Sequence, residues 1–188
     1  MRSVWVPLLL LAGATPVAAQ TPMVRPVPVP LDSNRAAVRD ALVVLRDSLG
    51  MIDAAAARLQ RDYREASPTA LLVRARLIRD ACAHSAGMVP TTRTRVLAAK
   101  ISQPERIKHR EELVAALDQL KKSLTVCQSE FAKMSQAGQA ETVRGYGNPR
   151  ATRVQASLRQ YERTLNEFLG VMGIRVVPAG AENHPASG

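Results

Sequence analysis

The stretch LVAALDQLKKSLTVCQSEFAKM, residues 113–134, decides the fold class. Its apolar residues, Leu113, Leu117, Leu120, Leu124, Cys127, Phe131 and Met134, recur at alternating steps of four and three. On an α-helix that spacing places them on one drifting seam, with Lys, Asp, Gln and Glu turned away from it. A strand would need alternation every second residue, and the stretch has none. Upstream, Ser102-Gln103-Pro104-Glu105 has the spelling of a capping box, so a helix is predicted over about 103–137.

Three further segments carry the same spacing. The first follows Asp32-Ser33, good N-cap residues, and runs Val38, Leu42, Leu45, Leu49, Ile52, Ala56, Leu59 and Tyr63, predicting a helix over about 33–66. The second opens with Ser67-Pro68, a cap followed by proline at the first helical position, and places Leu71, Ala75, Ile78, Cys82 and Ser85 on its seam. Gly87 and Pro90 are predicted to stop it, giving a helix over 68–87. In the last segment, Gly145-Tyr146-Gly147-Asn148-Pro149 reads as a turn and a helix start. Ala151, Val154, Leu158, Tyr161, Leu165, Phe168 and Met172 then mark a helix over 149–172. Four amphipathic helices joined by short turns predict an all-α protein, an antiparallel up-down four-helix bundle spanning 33–173. Residues 88–103 would then fill one helix-wide slot as a short helix or an irregular lid.

The chain ends read differently. Residues 1–19 combine a basic start, a short apolar run and small residues at a cleavage position, the pattern of a secretory signal peptide. The run is too short to span a bilayer, and no transmembrane segment is expected after cleavage. Residues 20–32 carry Pro22, Pro26, Pro28 and Pro30 and read as an extended Pro-rich linker. Residues 174–188 read as a disordered tail. Export predicts a periplasmic or secreted protein, and in an oxidising compartment the two cysteines, Cys82 and Cys127, are expected to form a disulfide.

The 188 residues carry a net charge of +10, of which the signal segment contributes only Arg2. The excess is densest over 91–110. Arg106 and Arg110 fall where the seam of the third helix, extended backward, would call for apolar residues, and Arg93, Arg95 and Lys100 lie close in sequence. Arginine on the inner face of an open bundle end suits a carboxylate or phosphate. The expected function is therefore non-catalytic binding of an anionic envelope component or an acidic protein through Arg93, Arg95, Lys100, Arg106 and Arg110. A holdase-like chaperone, cradling apolar chains in the slot beside the third helix, is the alternative. A metal- or haem-carrying bundle ranks lower: His84 and His109 lie off the seams, no paired Glu-x-x-His motif occurs, and Cys82-Ala-His84 is not CxxCH. No cofactor or metal is expected.

Hydrolase, metalloprotease and nucleotide-loop motifs are absent from the sequence, so no enzyme is expected. Nucleic acid is disfavoured as a partner, because the few aromatics beyond residue 19 sit mostly on or near the seams and leave no stacking platform. Long stripes also pair between chains, which leaves homodimerisation open.

Overall fold

The computed structural model describes residues 33–136 and 140–174. These form four helices of nearly equal length and, among the described residues, no strand. They are α1 (Ser33–Asp62), α2 (Pro68–Leu97), α3 (Pro104–Gln136) and α4 (Ala140–Met172). The predicted signal, the Pro-rich linker and residues 175–188 lie outside the described residues.

Paired side chains show how the helices lie against one another. From α1 to α2, Asn34 Nδ2 donates to the Ala98 carbonyl, Ser48 Oγ meets Ser85 Oγ at 2.7 Å, and Asp62 pairs with Arg74 at 2.8 Å. Partner numbers fall along α2 as they rise along α1. Between α2 and α3, Cys82 is bonded to Cys127 and Arg93 meets Asp118. Gln155 and Thr152 of α4 bond Asp53 and Gln60 of α1, and Arg150 of α4 meets Glu130 of α3. Across the middle, α2 also approaches α4, whereas no Cα of α1 comes within 8 Å of one in α3. The cross-section of the bundle is thus a rhombus with α2 and α4 on its short diagonal.

The core is the sum of the seams. Leu42, Leu45, Ile52 and Leu59 of α1, Leu71 and Ile78 of α2, Leu113, Leu117 and Phe131 of α3, and Phe168 of α4 are shut off from water. Helices of this length draw their stability mainly from burying such a face, at about 25 cal/mol per Å² of apolar surface, rather than from intrinsic propensity.

Two helices run through the residues expected to end them. The buried stripe of α2 continues past Ser85 as Val89, Thr92 and Val96. That of α4 begins earlier, at Ala140, Val143 and Gly147. Pro90 and Pro149 therefore lie inside helices, and both are exposed. A proline there removes one hydrogen bond and crowds the preceding turn. On the solvent side the freed carbonyl can be hydrated, and the helix bends rather than breaks. Side chains add donors close by. Thr92 and Thr94 bond the carbonyls of Met88 and Pro90, while Arg150 and Thr152 bond those of Tyr146 and Asn148. The slot assigned to 88–103 is filled by the last turns of α2, and Gly145 to Pro149 is helix rather than turn.

The remaining ends are more local. Ser67 caps α2 as expected, its Oγ accepting from the Ala70 amide. In α3 the Gln103 carbonyl accepts the first bond, from Ile107, so the cap is one residue later than Ser102 and the capping box does not form. The first helix stops at Asp62, four residues short of expectation, and the Asp62 carbonyl takes the amides of Glu65 and Ala66. Gly173, at φ 65°, ends α4 in a Schellman motif: its amide bonds the Gly170 carbonyl and that of Ile174 bonds Leu169. Ile174, assigned to the tail from sequence, is buried and belongs to the fold.

One core polar group sets a pH dependence. Tyr161 is buried, its hydroxyl has no hydrogen-bond partner among the described residues, and burial pushes its pKa well above the ordinary tyrosine range. The folded state therefore keeps its proton where the unfolded chain has lost it. Stability from this source is intact below about pH 10, where free tyrosine ionises, and falls as pH rises further. The expected loss is about 1.4 kcal/mol at one unit above that point. Urea melts at pH 9 and pH 11 should show it in the wild type, with a smaller loss in Tyr161→Phe. An equal loss in both would assign the effect to other groups.

Candidate functional site

The five basic residues singled out from sequence do not converge. Because α2 continues as a helix, Arg93 and Arg95 project in different directions. Arg93 turns to α3 and pairs with Asp118, Nε to Oδ1 at 3.0 Å. Arg95 lines a groove between α1 and α2 together with Asp40. Lys100 is exposed on the loop between α2 and α3.

Arg106 and Arg110 do stay together. They extend the buried stripe of α3 backward from Leu113 by steps of three and four, and both are half-buried. The Arg110 Nε is shielded from water and has no hydrogen-bond partner among the described residues. A shielded, unbonded N–H costs about 1–3 kcal/mol. Beside them, His109 Nδ1 meets Glu112 Oε2 at 3.1 Å. The end carrying Arg106 and Arg110 is also where α1 starts, since Asn34 bonds the C-cap of α2.

The larger concave surface was not foreseen. A groove runs along the outer face of α1 and α2, as two hollows of about 470 and 520 Å³. Met51, Ala54, Ala55, Leu77 and Ala81 line the first, with Arg58, Arg74, Asp80 and His84 at its edges. Ala37, Ala41, Val44, Gly87 and Met88 line the second, with Asp40 and Arg95. The signal was present in sequence: Ala37, Ala41, Val44, Ser48, Met51 and Ala55 repeat at four and three, each one residue before a seam residue. A second stripe beside the first widens the apolar face beyond what the bundle interior can cover.

Among the described residues, no three His, Cys, Asp or Glu side chains stand close enough to share a metal ion. His84 is exposed at the groove and is remote in sequence from His109. No described helix is long and apolar enough to cross a membrane. No family model, curated protein or solved structure matches the chain.

Proposed function

We propose that this is an exported, non-catalytic binding bundle that holds an anionic envelope component or an acidic protein at the end formed by Arg106, Arg110 and Lys100. The observation that carries the reading is Arg110, whose guanidinium continues a buried seam and keeps a shielded Nε without an acceptor among the described residues. A carboxylate or phosphate seated between Arg106 and Arg110 would supply charge-assisted acceptors in a partly dry setting, where they are worth most. Arg93 leaves the set because Asp118 already engages it. Arg95 belongs to the groove. The slot beside α3 that the chaperone alternative invoked is filled by the last turns of α2, so that slot lends it no support.

The test is binding at 0.15 M salt to three anionic probes: vesicles containing phosphatidylglycerol, inorganic polyphosphate and polyglutamate. At least one should bind, and Arg106→Ala with Arg110→Ala should weaken it about tenfold or more, as expected for losing two charge-assisted contacts. Arg93→Ala should change it little. Binding to none of the three, or binding that the double variant leaves unchanged, refutes the assignment.

A further inference from the structure

The face between α3 and α4 differs in chemistry from the α1–α2 groove. It carries a cleft of two hollows that share Gln119, Ser123 and Ser157, an inner one of about 60 Å³ and an outer one of about 230 Å³. The polar residues lining the inner hollow are Gln119, Ser123, Ser157, Gln160, Tyr161 and Thr164, none of them charged. Ser157 and Thr164 already give their hydroxyl protons to the Arg153 and Gln160 carbonyls of their own helix, so each has only lone pairs left to offer. Tyr161 presents the opposite need. It is 2% exposed, and its hydroxyl is a donor without an acceptor among the described residues. A hydroxyl oxygen meets both needs from one point, because it accepts and donates at the same atom. The inner hollow exceeds the roughly 10–15 Å³ that one water requires, so it admits a hydroxymethyl-sized group.

The outer hollow is charged. Lys122, Arg150 and Arg153 line it with a single carboxylate, Glu130, which meets the two arginines at 3.3 and 3.7 Å. One acid shared between two arginines leaves positive charge over, and Lys122 adds to it from an exposed position.

We infer that the α3–α4 cleft is a binding site for an acidic saccharide, with a sugar hydroxyl in the inner hollow and a carboxylate in the outer one. The two halves together select this ligand. An inorganic anion would use only the outer half and leave the Tyr161 donor as it is. A neutral sugar would leave the excess of cations unanswered. An acidic peptide carries carboxylates, but its backbone divides donor and acceptor between N–H and C=O, so no single atom serves Tyr161 and Ser157 together. None of the cleft residues belongs to the end carrying Arg106 and Arg110.

The test is a titration of the full disulfide-bonded chain at 0.15 M salt, followed by the side-chain amide resonances of Gln119 and Gln160 in two-dimensional NMR. The probes are trigalacturonate, maltotriose and triglutamate. Trigalacturonate should shift both amides with a dissociation constant at or below about 1 mM, and maltotriose should bind about tenfold more weakly for want of a charge-assisted contact. Lys122→Ala with Arg153→Ala should remove that difference by weakening trigalacturonate alone, and both side chains are exposed enough for the fold to survive. Tyr161→Phe keeps the ring and should weaken both sugars about threefold or more. Arg106→Ala with Arg110→Ala should leave the titration unchanged, which separates this site from the basic end. Amides that stay unmoved by trigalacturonate at about 10 mM overturn the proposal and leave the cleft to solvent. Maltotriose binding as tightly as trigalacturonate overturns it, and so does an affinity that Tyr161→Phe leaves unchanged. Triglutamate binding as tightly as trigalacturonate would assign the cleft to acidic peptides and equally overturn it.

Discussion

Reducing the Cys82–Cys127 bond should lower the melting temperature by about 10 °C. The bond closes a loop with a sequence separation of 45 between α2 and α3. In the chain-entropy treatment, constraining the unfolded chain over that span contributes about 4 kcal/mol. For a domain of this size each kcal/mol moves the midpoint by about 2–4 °C. Neither cysteine is accessible to water, so a thiol reagent must wait for the helices to part, and reduction should be slow without denaturant. Thermal melts of native, reduced and Cys82→Ala/Cys127→Ala protein check both points. The alanine pair should melt lowest, since it also leaves small voids in the core. A reduced midpoint within 2 °C of the native one would show that the crosslink restrains little that the packing does not.

Replacing the two interior prolines should have a comparable effect in the opposite direction. A proline within an exposed helical stretch costs about 3 kcal/mol relative to alanine. Pro90 and Pro149 both stand on solvent-facing turns, where their rings pack against little and the lost hydrogen bond is the main consequence. Part of the gain is returned by the less constrained unfolded chain. Pro90→Ala and Pro149→Ala are therefore each expected to stabilise by about 2 kcal/mol in urea titrations. A loss of stability in either would mean that the bend at that residue shapes the packing of the helix beyond it.

Those prolines also explain how far the fold could be read from sequence. The buried spacing of α1 and α3 is unbroken by glycine or proline on its seam, and both helices were legible nearly to their ends. In α2 and α4 two local signals conflicted. Val89, Thr92 and Val96 carried the spacing onward, but Gly87 and Pro90 read as a stop. Ala140, Val143 and Gly147 carried it backward, but Gly145 to Pro149 read as a turn. Packing overrode punctuation in both cases because the breakers are exposed while the seam is not, apart from Gly147. There the missing side chain is used: an added Cβ would stand 3.2 Å from Leu59 Cδ2 and 3.3 Å from Val143 Cγ1, so glycine lets α4 approach α1.

The candidate site was less legible, for a related reason. Proximity in sequence grouped Arg93 with Arg95, and only the continuation of α2 shows that they face different neighbours. Arg106 and Arg110 could be paired because their spacing extends a seam, which is a three-dimensional statement already written in the chain. The α1–α2 groove needed the same reasoning applied twice to one helix, first to its inner stripe and then to the stripe beside it.

The buried hydroxyl pair Ser48–Ser85 bears on how the chain finds a single alignment. Seams that repeat every seven residues look alike after a shift of one repeat, so α1 and α2 could slide past each other and still bury aliphatic surface. Such a slip would set Ser85 opposite Ala41 or Ala55, and Ser48 opposite Ile78 or Thr92. Against an alanine, the Ser85 hydroxyl would lose its partner while still enclosed, at a cost of about 1–3 kcal/mol. One polar pair within an otherwise oily contact acts as an index mark, separating the correct setting of the two helices from its near-duplicates.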